Sequence, residues 1–224
     1  MVPVHIGIIM DGNGRWAESR GQKRSHGHKV GSKMVERIAT HAFNSGVKVV
    51  TVYAFSTENF GRPKDEVDTL MKLLDEYLVK LTDKAVKNKI KIQVLGDRTA
   101  LSASLNKTID RETAKTAQFN EHVFNICINY GGRQEIITAV KNLVKDGKEV
   151  TDENLQDYLY TKGMPPLDLI IRTGGELRLS NFMTYQSVYS EFYFTDVLWP
   201  DFDENELDKA LEAFANRKRR YGKV

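Results

Sequence analysis

The sequence has 224 residues, 41% hydrophobic and 28% charged, a balance ordinary for one globular domain that needs no disulfide or metal staple. Lys and Arg number 33 against 30 Asp and Glu; the net charge of +3 creates no global field that argues for nucleic acid. A single cysteine, the lack of any apolar run near ~18 residues, and a start without a basic and apolar leader exclude disulfide-framed secreted and membrane-spanning classes and point to the cytoplasm.

In chain order, the pattern predicts a first strand over residues 5–10, ending at Asp11. A helix follows, with Val30, Met34, Ile38 and Ala42 on one stripe and Gly46 at its C′ position. A second strand over 47–55 is apolar throughout, as strands buried on both faces are. After Pro63, Val67, Leu70, Met71, Leu74, Leu78 and Leu81 mark another helix. Strands over 89–95 and 123–130 come next, then a helix that should bury Ile136, Ile137, Val140 and Val144. Strands over 167–172 and 191–197 lead to a last helix with Leu207, Leu211 and Phe214 inward, Asp203 and Glu206 being spaced as a capping box. The alternation predicts one α/β domain over 1–224 with a mainly parallel sheet.

Ligands in such sheets sit at the carboxyl ends of strands, and those ends are rich in glycine, hydroxyl, arginine and carboxylate. Asp11-Gly12-Asn13-Gly14-Arg15-Trp16 offers backbone amides that can approach phosphate closely; the competing reading is a glycine turn with an Asp cap. Its likeness to a dinucleotide fingerprint is weak, since Asp11 would repel pyrophosphate without a cation between them. Arg20, Lys23, Arg24, His26, His28 and Lys29 form either a diphosphate site or a solvated basic face. Arg172, Arg178 and Ser180 suit a diphosphate held by bidentate bonds, or an ion-pair network with Glu176 or Asp168. Glu191 is a metal ligand or an arginine partner. Met71, Leu74 and Leu78 are core, or the wall of an apolar tunnel, and Cys127 is core. A phosphate-binding P-loop and an Asp-Asp-x-x-Asp motif are both absent.

Taken together, these motifs resemble the cis-prenyltransferases of undecaprenyl diphosphate synthase type. The resembling stretches are residues 5–16, Gly27-His28-Lys29, 53–59, Asn129-Tyr130-Gly131-Gly132-Arg133, 171–176, 178–182 and 191–202, in one order along nearly the whole chain. The resemblance implies a homodimeric α/β enzyme with a mainly parallel six-strand sheet and an apolar tunnel beside the diphosphate site. It implies Mg²⁺-dependent condensation of isopentenyl diphosphate with an allylic diphosphate such as farnesyl diphosphate, giving a longer polyprenyl diphosphate such as undecaprenyl diphosphate. Peripheral membrane contact for product release goes with so apolar a product.

Carried over residue by residue, Asp11 handles Mg²⁺ and the allylic diphosphate, with Glu191 completing the metal site. Gly12, Asn13, Gly14, Arg15, Trp16, Arg24 and His28 bind the allylic diphosphate. Ser56, Thr57, Glu58, Asn59, Phe60 and Arg62 line the reacting centre, Asn59 near proton removal. Arg172, Arg178, Leu179 and Ser180 hold isopentenyl diphosphate, and Arg220-Tyr221-Gly222 reaches the partner's site. A non-catalytic scaffold subunit of a prenyltransferase complex is the alternative; the intact 11–16 motif speaks against it.

Overall fold

Six strands, all parallel, form one sheet in the order β3-β4-β2-β1-β5-β6. The computed structural model describes residues 1–217, so Arg220-Tyr221-Gly222 lies outside the described residues. The strands are β1 (His5–Ile9), β2 (Val49–Ser56), β3 (Ile90–Leu95), β4 (His122–Tyr130), β5 (Leu169–Arg172) and β6 (Glu191–Phe194). The helices are α1 (Asn13–Glu18), α2 (Arg24–Asn44), α3 (Lys64–Lys87), α4 (Ala103–Ala114), α5 (Gly132–Lys145), α6 (Asp152–Gln156) and α7 (Glu204–Ala215).

Alternation along each strand divides the interior between two faces. Ile6 and Ile8, Val50 and Val52, Phe124, Ile126 and Ile128 point to the larger cluster, shared with α2, α3, α4 and α7. Ile9, Cys127, Tyr130 and Ile170 point to the smaller one, completed by Phe182 and Met183 from the loop before β6. Ends are set locally. Gly46 follows the last turn of α2 at φ +98°, a conformation glycine adopts without a side-chain clash. Asp203 caps α7 by accepting from the Glu206 amide at 3.0 Å. In α3, Asp65 and Glu66 occupy the first turn and Lys84 and Lys87 the last, each complementing the helix dipole.

All six expected strands form, each within three residues of its expected ends. The expected inward stripe of α5 does not. Its buried residues are Gly132, Glu135, Ala139 and Leu143, while Ile137 and Val144 are 54% and 58% exposed. The reason is Glu135, whose carboxylate is claimed by the Tyr130 hydroxyl, the Gln186 amide and the Tyr160 N–H. Those partners turn the polar residue inward and rotate the branched apolar ones outward.

A polar layer crosses the sheet at its amino end. Asn125 Nδ2 donates to Thr51 Oγ1 (2.9 Å), which lies 2.8 Å from His5 Nε2, while His5 Nδ1 is 3.1 Å from the Pro165 carbonyl. That arrangement makes Nδ1 the donor and leaves Nε2 to accept, a neutral ring. Burial lowers the His5 pKa to about 4, against weaker raising effects from Pro165 and Asp168. The unfolded chain therefore takes up this proton near pH 6.5 and the folded one only near 4, so the stability is whole above 6.5 and is lost as pH falls. The stability difference between wild type and His5→Gln in urea unfolding should shrink by about 3 kcal/mol between pH 6.5 and 4. A difference constant with pH would refute the assignment.

Candidate active site

The sheet order reverses between β1 and β5, and the crevice at such a switch point is where open α/β sheets take ligands. Ile9 and Arg172 are register partners at the ends of these strands. Arg172 is 4% exposed and donates to Asp11 Oδ2 at 3.0 Å, to Ser180 Oγ at 2.9 Å and to the Arg178 carbonyl. Asp11 Oδ1 also meets Arg15 at 3.2 Å. The Asp11 carbonyl accepts from Thr173 Oγ1 and the Trp199 amide, so backbone and carboxylate are both fixed.

Asn13 opens α1 and sits on α2 where Gly27 and Gly31 leave room. A Cβ on Gly27 would lie 1.9 Å from the Asn13 carbonyl oxygen, and one on Gly31 2.0 Å from Asn13 Oδ1. This close crossing brings Asn13 beside His28. His28 Nε2 is 4.0 Å from Glu66, beyond hydrogen-bond reach. Burial, with help from Arg62 and Arg24, lowers the His28 pKa to about 4 against the opposing pull of Glu66, so the ring is neutral.

On the far wall, β2 bulges between Tyr53 and Ser56 and ends in a 3₁₀ turn, Thr57–Gly61. Bulges of this kind re-aim side chains beside sites. Ser56 N–H donates to Asn59 Oδ1 at 3.1 Å, and the Ser56 side chain accepts from the Asn59 amide, which locks the pair together. Ser180, at φ +49°, is held by Arg172 and by the Tyr53 hydroxyl, which donates to its carbonyl.

These elements enclose a cavity of about 890 Å³, within the range of ligand pockets. Its mouth is polar: Asp11, Asn13, His28, Ser56, Glu58, Asn59, Arg62, Arg172 and Ser180 line it, with Leu179 beside them. Its depth is hydrocarbon, from Val35, Val52, Leu70, Leu74, Leu78, Phe124 and Ile126. Of the stripe read as core or tunnel wall, Leu74 and Leu78 line the cavity and Met71 packs on the core instead. Three buried polar atoms at the mouth have no hydrogen-bond partner among the described residues: Asn13 Oδ1, His28 Nε2 and Arg172 Nε. Unpaired buried polar groups are costly, and a bound polar ligand satisfies them.

Several expected site residues stand elsewhere. Trp16 donates to Asp201 at 2.6 Å and is covered by Arg20, outside the cavity. Gly12 and Gly14 serve packing: a Cβ on either would meet Leu198 or the Arg24 guanidinium. Arg15, Arg24 and Arg178 are not among the residues lining the cavity and pair instead with Asp11, Glu18 and Glu176. Thr57 does not line the cavity, and Phe60 packs edge-on against Phe55. Glu191 is level with Leu169 and Ile6 at the opposite end of the sheet, paired with Arg217. Three residues of strand rise, about 10 Å, separate its level from Ile9 at the end of β1, and Asp11 lies beyond that end. Within one chain the structure therefore does not bring the Asp11 and Glu191 carboxylates together. Cavity-lining Arg133, Gln134, Asn181 and Thr184 were not among the expected site residues; the arginine after the Gly131-Gly132 turn was their one visible signal. His122, at the start of β4, packs against Phe43 with the rings tilted, away from the cavity.

Among the described residues no group of three His, Cys, Asp or Glu could hold a metal ion. Asp11 at the mouth nonetheless fits Mg²⁺, which binds through one or two carboxylates together with substrate phosphate oxygens.

The family model for putative undecaprenyl diphosphate synthases matches residues 9–222. An isoprenyl transferase of Fusobacterium nucleatum is 50% identical over all of this chain and 97% of its own length. One from Bacillus subtilis is 49% identical over all of this chain and 88% of its own. Lavandulyl diphosphate synthase from Lavandula x intermedia, solved with dimethylallyl diphosphate, superposes with a TM-score of 0.95 at 33% identity, covering 99% of each chain. A probable undecaprenyl diphosphate synthase from Campylobacter jejuni gives 0.85 at 32% identity, again over 99% of each.

The α1–α2 crossing is open to test by Gly27→Ala. Overpacking of this kind costs about 1–3 kcal/mol, so the melting temperature should fall by roughly 2–10 °C. An unchanged melting temperature would mean that α1 moves freely off α2.

Proposed function

The chain belongs to the undecaprenyl diphosphate synthase family of isoprenyl transferases, and on that premise we propose that it condenses isopentenyl diphosphate with an allylic diphosphate. Farnesyl diphosphate is the primer and a longer polyprenyl diphosphate, such as undecaprenyl diphosphate, the product. The observation that carries this reading is the cavity itself. Unpaired polar atoms and arginines crowd its mouth, and its depth is hydrocarbon. A diphosphate joined to a growing apolar chain has that same division.

The residues divide the work by position. Asp11 holds Mg²⁺, which supplies Lewis-acid stabilisation of the diphosphate leaving group. Arg15, Arg24, Asn13 and His28 bind the allylic diphosphate, the neutral imidazole donating its free N–H. Arg62 adds charge from the adjacent wall. Arg172, Arg178 and Ser180 hold isopentenyl diphosphate, Arg178 exchanging Glu176 for phosphate. As the allylic carbon–oxygen bond breaks, the electron pair leaves with diphosphate, and fixed guanidinium groups stabilise the charge that develops. The double bond of isopentenyl diphosphate attacks the allylic carbon, and a proton then passes to an oxygen of the released diphosphate on the side where Ser56 and Asn59 lie. Holding two diphosphates in line accounts for two arginine sets. Each new isoprene unit moves apolar surface from water onto Leu70, Leu74 and Leu78 at ~25 cal/mol/Å².

A homodimer agrees with the exposed Ile137 and Val144 on α5, apolar residues that a second copy would cover. No helix among the described residues is long and apolar enough to cross a membrane. A cytoplasmic enzyme with peripheral membrane contact at product release suits an apolar product.

The purified chain with Mg²⁺, labelled isopentenyl diphosphate and either farnesyl or dimethylallyl diphosphate should yield butanol-extractable lipid. Asp11→Ala should lower kcat by at least ~10²-fold, as loss of one transition-state stabiliser does. Arg178→Ala should raise KM for isopentenyl diphosphate about tenfold, a partly exposed charge-assisted bond being lost. No incorporation with either primer would refute the reading.

Sedimentation tests the dimer separately. Wild type should run as a dimer, and a variant carrying Ile137→Asp and Val144→Asp as a monomer. Persistence of the dimer in that variant would remove α5 from the interface.

A further inference from the structure

Asn181 joins three segments that the sequence keeps far apart. Its Nδ2 donates to Glu58 Oε1 at 2.9 Å and to Gln134 Oε1 at 3.1 Å. Its Oδ1 accepts from the Arg133 amide at 2.9 Å, and its carbonyl accepts from the Gly132 amide at 2.7 Å. Helix α5 starts after Gly131, a residue with no side chain to cap it. Asn181 therefore supplies the cap from a loop 48 residues away from Arg133.

The junction has space made for it. A Cβ on Gly131 would lie 2.4 Å from Gln134 Oε1, 2.7 Å from Asn181 Nδ2 and 2.8 Å from Thr57 Oγ1. Asn181 itself sits at φ +65°, a conformation that asparagine tolerates better than most residues. Its neighbours are those the proposed reaction needs. Ser180 precedes it, tied to Arg172, and Glu58 precedes Asn59 in the turn that follows β2.

We propose that Asn181 is a positioning residue, which tethers the isopentenyl diphosphate loop to the turn bearing Asn59 and fixes both on the start of α5. This rests on the function proposed above, because positioning is meaningful only if both loops serve one reaction. Bond formation demands that two reacting carbons be held in near-attack geometry. A tether between the segments that flank them sets that geometry without touching substrate.

Asn181→Gly deletes the side chain while keeping the left-handed backbone unstrained and the carbonyl cap in place. Without substrate, hydrogen exchange at the Arg133 amide and across residues 57–61 should quicken at least tenfold, with the core strands unaffected. KM for isopentenyl diphosphate should rise about tenfold, while affinity for the allylic diphosphate stays within twofold. The effects of Asn181→Gly and Glu58→Ala on hydrogen exchange across residues 57–61 should not add, since partners in one interaction are not additive. Asn181→Asp keeps the acceptor for Arg133 but repels Glu58, so it should restore slow exchange at Arg133 and leave KM high.

A merely structural asparagine would lower the melting temperature and the active fraction with KM unchanged. Unchanged exchange in Asn181→Gly, or additive effects on exchange with Glu58→Ala, overturns the tether, whether or not the chain turns over substrate. Faster exchange with unchanged KM, or recovery of KM in Asn181→Asp, overturns the positioning role. An inactive wild-type chain would instead refute the proposed function, and the two failures are distinguishable.

Discussion

The buried Arg172 guanidinium governs the arrangement of the site. A charge removed from water must be paired and hydrogen-bonded or the fold loses several kcal/mol. Here it is answered by the Asp11 carboxylate, the Ser180 hydroxyl and the Arg178 carbonyl. Those three groups come from the loops after β1 and β5, so one residue fixes the polar mouth on both sides of the switch point. Its third nitrogen, Nε, has no hydrogen-bond partner among the described residues. The site is thus held in shape before ligand arrives, with part of its hydrogen-bonding capacity unspent.

The same economy extends to the surroundings. Thr173 and Trp199 grip the Asp11 backbone, and Trp199 in turn donates to the Gly31 carbonyl of α2 at 2.9 Å. The loop that supplies Ser180 is anchored by Phe182 and Met183, both fully buried. Left-handed residues at 180, 181 and 183 are tolerated because hydrogen bonds and packing hold them on both sides. Functional loops here derive order from the core rather than from their own propensities.

Much of this was legible in the residues alone. Strands apolar on both faces announce a parallel sheet, and all six formed, because burial on two sides leaves little choice of conformation. Asp11 and Arg172 were legible because they stand at the carboxyl ends of such strands, and Ser180 because it lies in the loop that follows. What failed was whatever depended on partners distant in sequence. Nothing in α5 says that Glu135 is the residue to bury; Tyr130, Gln186 and Tyr160 decide it. That Glu191 opens its strand was visible in the residues; that this sets it level with Leu169, at the end of the sheet remote from Asp11, is decided by the register of β6 on β5. Trp16 belongs to the informative motif, yet its indole is drawn outward by Asp201. Asn181 was not among the expected site residues, and its bonds run to residues 48 and 123 positions away.

Helix α2 carries both chemistries of the cavity on one rod. His28, Gly31, Ser32 and Val35 all line it, so the change from headgroup contact to hydrocarbon wall occurs over about 10 Å of helix axis. The glycines that seat α1 lie on that same stretch. A shift of α2 that widened the space for the tail would therefore drag His28 and Asn13 with it. Beyond its first turn, where Glu66 faces Arg62 and His28, helix α3 bears no such double duty, since Leu70, Leu73, Leu74, Tyr77 and Leu78 line the apolar part. Variation in the size of the hydrocarbon it accommodates has a free path along α3 and an obstructed one along α2, so related chains that differ in tail length should diverge on the first and stay alike on the second.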